Sequence, residues 1–220
     1  SLPELQIKVM GAKVPTTFEL VYGPTGRTIK LLERAPSLRT EDIPAYFLGA
    51  PAAYIAPVIG ECPIELIQAL DSPIKVAGLQ GWLRYAGPDG TVLPKLDFRA
   101  EDIPAGLTAI VFSEEDHPDA DALALELTKR VPHVVLTRGA QGLSLLSQDG
   151  LMDFPALDVD VVDPTGAGDT LGIVLTSSLL GGLDIKAAVD RAVRAASLII
   201  QGPELGLLDV KNLGPLVRAA

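Results

Sequence analysis

The sequence contains few aromatic residues, a single cysteine and no long uncharged apolar run. Phe, Trp and Tyr make up only 5% of its 220 residues, whereas apolar residues as a whole reach 48%. The core must therefore consist of Leu, Ile, Val and Ala, which suits buried parallel strands covered by helices. A disordered chain is excluded, and the length is sufficient for one sizeable α/β domain, alone or with a small appendage.

The scarcity of cysteine and of apolar runs also bears on the compartment. The single cysteine, Cys62, excludes a disulfide framework and indicates a reducing compartment, so we expect a cytoplasmic protein. Cys62 lies next to Pro63 without a nearby histidine, and we interpret it as a small apolar side chain rather than a nucleophile. No uncharged apolar run reaches the roughly 18 residues of a membrane span, so we expect no membrane partner.

Positive charge is scarce as well. The formal net charge is −10, and Lys and Arg form no run anywhere in the chain. A free-standing nucleic-acid-binding protein would need a basic face, so we expect no nucleic-acid partner. An anionic substrate would have to be held by local groups rather than by the overall field of the protein.

Short apolar segments alternate with helical patterns along most of the chain. This alternation predicts βαβ units, a mostly parallel central sheet and an α/β fold class. Strands are predicted at 18–22, 28–32, 53–56, 74–78, 108–112, 134–137, 142–147 and 151–154, and helices at 63–70, 118–130, 170–180 and 185–199.

The first two strands differ from the rest because only the turn residues 23–27 separate them. They are predicted to form a β-hairpin, which we interpret as a small lid over the main domain. The chain then divides into a lid segment at 1–35 and an α/β core at 36–220. A second hairpin is predicted around Asp149-Gly150.

Three small residues, Gly166, Ala167 and Gly168, precede the predicted helix at 170–180. A helix N-terminus leaves backbone N–H groups unpaired and carries partial positive charge, and small residues allow a ligand to approach those groups. The stretch therefore predicts an anion site suited to a transferring phosphoryl group. Asp169, beside this site, is the candidate base that accepts the proton of an attacking alcohol.

A structural alternative is open at this point, because Asp163 and Asp169 could simply cap the turn and the helix start. Two other phosphate-binding motifs are excluded. No Gly-Lys-Ser/Thr follows, as a Walker loop requires, and the three-glycine spacing of the dinucleotide fingerprint is absent.

The run Asp163-Pro164-Thr165-Gly166-Ala167-Gly168-Asp169 closely resembles the C-terminal signature of the ribokinase-like, pfkB-type carbohydrate kinase family. The resemblance implies a three-layer fold and ATP-dependent phosphorylation of an alcohol group on a sugar, cyclitol or nucleoside. It also implies that Thr165 lies at the cofactor site. In some relatives the neighbourhood of Asp163 and Thr165 holds a monovalent cation, and the residues of this chain leave that open.

Two further segments carry the resemblance. The stretch 134–142 is similar to the family's strand and turn near ATP, with Thr137, Gly139 and Gly142 at its defining positions. The segment 78–84 resembles a strand end in the branch that includes inositol-kinase-like proteins. Its tryptophan, Trp82, is interpreted as a core residue.

A fourth, partial resemblance concerns magnesium. The family often carries Asn-x-x-Glu after a strand, and here Ser113 stands at the Asn position and Asp116 at the Glu position. The resemblance implies that Ser113 contacts the cofactor, and that Asp116, Glu115 and Asp163 supply oxygen ligands to Mg²⁺. The alternative is a helix start capped by Ser113, with the acidic residues favouring the helix dipole.

The front of the usual family fold, which supplies a substrate-binding Asp and a Gly-Gly loop followed by Asn, has no counterpart in Ser1–Pro15. Either the acceptor site is shortened or rebuilt, or a preceding segment supplies it. A sheet without that front would expose an edge, which we expect a homodimer partner or residues 1–10 to cover. Two functions are therefore carried forward: a kinase, and a non-catalytic nucleotide-binding or subunit module derived from one.

Overall fold

The computed structural model describes residues 7–23 and 26–202, which form a three-layer α/β fold. In these ranges the β-strands are β1 Thr17–Gly23, β2 Gly26–Glu33, β3 Ala52–Ile55, β4 Ile74–Gly78, β5 Arg84–Ala86, β6 Val92–Pro94, β7 Ala109–Ser113, β8 His133–Thr137, β9 Leu143–Ser147 and β10 Gly150–Phe154. The α-helices are α1 Ala45–Leu48, α2 Leu66–Ala69, α3 Ala120–Leu127, α4 Ala167–Leu180 and α5 Ile185–Ile199.

The central sheet has six strands in the order β10-β9-β8-β7-β4-β3. Strands β3, β4, β7 and β8 are parallel, whereas β9 and β10 add antiparallel at one side as the predicted second hairpin. Because the carboxyl ends of the four parallel strands meet at one edge of the sheet, the residues that follow them come together there. The predicted mostly parallel α/β fold is confirmed.

Side chains of the sheet alternate between two apolar layers. Ile110, Phe112 and Leu136 face the layer with α2 and α3, while Ala109 and Val111 face the layer with α4 and α5. This strict alternation on a sheet covered on both faces explains why the strands are apolar throughout rather than at every second residue.

The predicted first hairpin forms a two-stranded sheet of its own, β1 paired antiparallel with β2. The Leu31 N–H donates to the Gly90 carbonyl at 2.8 Å, and the Arg84 guanidinium lies 5.5 Å from the centre of the Phe18 ring. These contacts attach the hairpin to the short β5–β6 hairpin. Its predicted turn includes residues 24 and 25, which lie outside the described residues.

Strand β3 ends the six-stranded sheet, and none of the strands in the described ranges pairs with its outer edge. Residues 7–10, predicted as one of two possible covers, run without regular structure, and a cavity lies between them and Pro36, Ser37 and Arg39. Residues 1–6 lie outside the described ranges. No helix within 7–23 and 26–202 combines the length and the apolar character needed to cross a bilayer.

Cys62 and Trp82 are both buried, as interpreted from the sequence. The Trp82 indole N–H donates to the Cys62 carbonyl at 2.7 Å, which satisfies the one polar group of the ring. Burial, and to a smaller extent the charge of Glu61, raises the pKa of the Cys62 thiol to about 11. The thiol is therefore protonated at neutral pH, in keeping with a packing role.

The structure differs from the sequence-based expectation at several boundaries. Helix α4 begins at Ala167, three residues before the predicted start, so Ala167 and Gly168 lie in its first turn and Gly166 is its N-cap. Helix α3 is shorter than the predicted 118–130, and α1, β5 and β6 were not predicted. These short elements have too few residues to show a period, which is why pattern reasoning misses them.

The two faces of α4 predict a contrast in stability. Leu175 is fully buried against the sheet, whereas Ile173 on the same helix is 55% exposed. Leu175→Ala should lower the free energy of unfolding by about 2–5 kcal/mol because it leaves a cavity. Ile173→Ala, the matched control, should change it by less than about 0.5 kcal/mol. Urea denaturation measures both, and equal losses would contradict the placement of this helix.

Candidate active site

The loop before α4 is shaped by its own hydrogen bonds. Gly166, the N-cap residue, has φ +82°, a left-handed conformation that residues with a Cβ rarely adopt. The Thr165 N–H donates to Asp163 Oδ1 at 2.9 Å. Hydrogen bonding from Thr165 also holds the pKa of the Asp163 carboxyl below its ordinary value, so Asp163 is a carboxylate that fixes the turn.

The first turn of α4 offers open backbone amides. The Ala167 N–H donates to the Pro164 carbonyl at 3.3 Å and the Thr170 N–H to the Gly166 carbonyl at 2.8 Å. The N–H groups of Gly168 and Asp169 have no acceptor among the described residues. A Cβ added to Gly168 would meet no atom within 4 Å, so this glycine faces open space rather than protein. The helix start can therefore accept an anion through two amides.

Asp169 lies on the same turn and is exposed. Its carboxylate makes no hydrogen bond or ion pair within the described part of the chain. It is therefore not serving as the cap of its own helix, which was the structural alternative for this residue. A carboxylate beside unpaired amides can bind the proton of a hydroxyl group while the amides hold a phosphoryl oxygen.

The residues predicted to contact the nucleotide meet at the carboxyl ends of β7 and β8. Ser113 and Thr137, the last residues of these strands, are direct partners in the parallel register. The turn after Thr137 contains Gly139, with φ +52°, and Gly142, with φ +97°. A Cβ on Gly139 would meet nothing within 4 Å, whereas one on Gly142 would overlap the backbone of residues 154–156. Gly139 thus borders open space, and Gly142 is required by packing.

The three residues predicted to hold magnesium do not converge. Asp116 Oδ2 accepts the Ser113 N–H at 2.8 Å, and its Oδ1 accepts Gln80 Nε2 at 3.3 Å. Burial is the main cause that raises the pKa of the Asp116 carboxyl. In the described ranges no group of three or more His, Cys, Asp and Glu side chains is placed to hold a metal. Magnesium bound to phosphates needs only one or two protein carboxylates. A magnesium site that uses one or two of the residues Asp116, Glu115 and Asp163 therefore stays a proposal.

Arg138 is a residue of this region that sequence reasoning missed. Its guanidinium pairs with Asp121 and with Glu114 Oε2 at 3.3 Å, and its Nε donates to Ser144 Oγ at 3.1 Å. Ser144 in turn donates to Asp153 at 2.6 Å. The network ties the turn after β8 to its neighbours. The sequence does contain a signal for this network: an arginine lies in a glycine-rich turn after β8, and an acidic segment follows β7, the preceding strand.

The end of α5 supports the loop from behind. The Ile200 carbonyl accepts the N–H groups of Val162 at 2.8 Å and Asp163 at 3.1 Å. Ala195 and Ser197 are buried, and the Ser197 hydroxyl accepts the Leu157 N–H at 3.1 Å.

The contrast between Gly139 and Gly142 is testable. Gly142→Ala should lower the free energy of unfolding by about 3 kcal/mol or more, because backbone strain is added to a steric overlap. Gly139→Ala should cost about 1 kcal/mol, the price of a left-handed residue in open space. Thermal and urea unfolding measure both. A Gly142→Ala protein as stable as the Gly139→Ala protein would show that the turn is packed differently.

The chain is similar to several known proteins. A profile described as pfkB family carbohydrate kinase matches residues 105–210. Bifunctional protein HldE of Helicobacter pylori (strain Shi470) is 35% identical over 80 residues, which are 35% of this chain and 17% of that protein. Inositol 3-kinase of Arabidopsis thaliana is 24% identical over 211 residues, 92% of this chain and 56% of that protein. The chain thus spans little more than half the length of inositol 3-kinase.

Solved structures show the same fold. A pyrophosphate-dependent kinase in the ribokinase family, solved as a sulfate complex, superposes with a TM-score of 0.77 at 19% identity, covering 92% of this chain and 74% of that one. Ribokinase from Thermotoga maritima superposes with a TM-score of 0.64 at 18% identity, covering 86% of this chain and 64% of that one. The profile match at residues 105–210, these likenesses and the α4 signature together support a ribokinase-like, pfkB-type carbohydrate kinase.

Proposed function

We propose that this chain is an ATP-dependent phosphotransferase that moves the γ-phosphoryl group to an alcohol group of a sugar, cyclitol or nucleoside. The observation that carries the proposal is the pairing of the exposed, unpartnered Asp169 carboxylate with the open amides of the first turn of α4. An anion site alone would need only the amides. The adjacent carboxylate has a chemical role when a neutral hydroxyl group must lose its proton during the reaction, because it can accept that proton.

The chemistry assigned to these residues balances without a further reactant. The Asp169 carboxylate accepts the proton of the acceptor hydroxyl, whose oxygen forms the new bond to the γ-phosphorus. The bond between that phosphorus and the β,γ-bridging oxygen breaks, and ADP leaves with the bonding electrons. The turn formed by Gly166, Ala167 and Gly168 leaves the N–H groups of Gly168 and Asp169 open to the phosphoryl oxygens, whose charge they would stabilise.

The donor side is assigned to the carboxyl ends of β7 and β8. Ser113, Thr137 and the open surface at Gly139 would contact the nucleotide, with Gly142 fixing the turn and Thr165 at the phosphate side. Magnesium, when bound, would neutralise phosphate charge. Asp116, Glu115 or Asp163 would hold it, because carboxylate oxygens suit this ion. A monovalent cation near Asp163 and Thr165 is proposed from the family resemblance alone.

A small polyhydroxylated molecule is the proposed acceptor. The likeness to inositol 3-kinase extends over 92% of this chain and supports a cyclitol within that class. Solved neighbours include a pyrophosphate-dependent kinase, so pyrophosphate is a donor to test beside ATP. A cytoplasmic location is proposed from the single reduced cysteine, and a homodimer from the open outer edge of β3.

The second candidate is a non-catalytic module that binds nucleotide or serves as a subunit. Two hydrogen bonds favour this candidate: the Ser113 N–H donates to Asp116 Oδ2, and the Glu115 N–H donates to Ser113 Oγ. Both side chains thus cap the turn after β7 without a metal ion. The free Asp169 carboxylate argues against it, since a module without chemistry has no use for a carboxylate beside its anion site.

Replacing Asp169 by Asn separates the two candidates. The change keeps shape and removes the proton acceptor, so kcat/KM should fall by about a hundred- to ten-thousand-fold. Phosphoryl transfer is measured with ATP and with pyrophosphate against ribose, myo-inositol and adenosine. Asp149→Asn is the matched control, because Asp149 is exposed in the β9–β10 turn and Asn-Gly suits that turn equally well. Transfer that survives Asp169→Asn unchanged would refute the assigned base.

Nucleotide binding without turnover should be visible as stabilisation. At a concentration of ATP and Mg²⁺ one hundred times its Kd, the ligand should add about 2.7 kcal/mol to the free energy of unfolding and raise Tm. Asp169→Asn should keep this shift, since it leaves the amides in place. If wild type shows the shift and no transfer to any acceptor, the non-catalytic module is the better description.

A further inference from the structure

Tyr54 occupies a slot made by two glycines beneath the candidate active site. It lies on β3, and its side chain packs with the apolar layer of α4 and α5. A Cβ on Gly172 of α4 would overlap the tyrosine ring and its hydroxyl oxygen, and one on Gly78 would lie 3.1 Å from that oxygen. The phenol therefore fits closely between the end of β4 and α4, where only glycine leaves room for it.

The slot places the hydroxyl at the edge of the sheet that carries the site. Tyr54 is the register partner of Val76, yet its hydroxyl reaches Gly78, the last residue of β4. Gly172 follows Asp169 by three residues, so both lie on one face of α4, one turn apart. The phenol thus lies directly below the turn that carries the proposed base.

The hydroxyl has no hydrogen-bond partner in the part of the chain that the structure describes. It makes no hydrogen bond to any residue of the described ranges, and it is not among the fully enclosed polar atoms that lack a partner. A tyrosine packed this closely normally satisfies its hydroxyl through protein or water. Burial, and to a smaller extent the charge of Asp169, raises the pKa of Tyr54 above its ordinary value. The group is therefore a neutral donor that is not fully enclosed.

The sheet order distinguishes the side of the site on which Tyr54 lies. Ser113 and Thr137, assigned to the nucleotide, end β7 and β8, whereas Tyr54 is on β3 at the far end of the sheet. Three strand spacings separate β8 from β3, roughly 14 Å. Helix α4 lies over β4 and β3. In the proposed site, phosphate would therefore reach Asp169 from the side of β7 and β8, and the second substrate from the side of β3.

We infer that Tyr54 is a specificity-determining residue of the acceptor site, whose phenolic O–H donates a hydrogen bond to a hydroxyl oxygen of a polyhydroxylated acceptor held against Asp169. The inference rests on the proposed function, because it assumes that an alcohol occupies the space beside the base. It adds a contact to the acceptor, for which the sequence motifs predict no binding residue other than the base. A sugar or cyclitol, with several hydroxyl groups, can donate one to Asp169 and accept from Tyr54 with another.

The test reads the tyrosine itself and requires no turnover. The full chain contains four tyrosines, so protein labelled with ¹³C at tyrosine Cζ gives four resonances, and the Tyr54 resonance is identified by its loss in Tyr54→Phe. Myo-inositol, ribose and adenosine are titrated in turn, each with and without AMP-PNP and Mg²⁺. At least one of these probes should shift the Tyr54 resonance in a saturable manner.

The variants give the second readout. Tyr54→Phe keeps the ring in its slot and removes only the hydroxyl, so the Kd of the bound probe should rise about three- to tenfold. The Kd of AMP-PNP should stay unchanged. Tyr46→Phe is the control, because Tyr46 is 61% exposed on α1 and its hydroxyl has no assigned role.

The outcomes separate this inference from the proposed function. A Tyr54 resonance that no probe moves would overturn it, as would a Tyr54→Phe protein that binds every probe as wild type does. A resonance that moves only with AMP-PNP would also overturn it, because the phenol would then belong to the phosphate side. Probe binding through Tyr54 with no phosphoryl transfer would instead support the acceptor site and refute the kinase assignment.

Discussion

The candidate site depends on the packing of α4 against the central sheet. Leu171 and Leu175 are buried in the same layer as Val76 and Ala109, and Gly172 lies against the Tyr54 ring. These contacts fix the helix along its length, so its first turn can remain poor in local stabilisation. Gly166 provides no side-chain cap, and Gly168 is among the least favourable residues for a helix. The core thus stabilises a helix start whose amides are left for a ligand.

Parallel topology brings two other predicted site residues together at one edge of the sheet. Ser113 and Thr137 are distant in sequence, and they become neighbours only because β7 and β8 run in the same direction and end together. Arg138 then ties the turn that follows β8 to Glu114 and Asp121. The turns that follow β7 and β8 are thereby joined to each other and to α3 at the carboxyl edge of the sheet.

The fold was largely predictable, because long apolar segments alternate with helical patterns and the signature around Asp169 is short and contiguous. What escaped prediction has specific causes. The three-residue strands β5 and β6 are too short to show a period, and the extension of α4 back to Ala167 contradicts the low helix propensity of glycine. The slot between Tyr54, Gly78 and Gly172 joins three separate segments. No local pattern could have shown that these three residues meet.

The same contrast, between local motifs and contacts that join distant segments, explains why the sequence predicts the proposed phosphate side of the site and not the proposed acceptor side. Binding a phosphoryl group requires backbone amides and small residues in a fixed order. Its sequence signal is therefore local, as in the Gly166–Gly168 turn and the turn that contains Gly139 and Gly142. Selecting among alcohols requires side chains of particular reach, and many residue types at many positions can supply them. Tyr54 is such a side chain: it becomes visible only once β3, β4 and α4 are packed. In the proposed site, the side chains that select the acceptor would therefore be free to differ at β3 while the base at Asp169 stays the same.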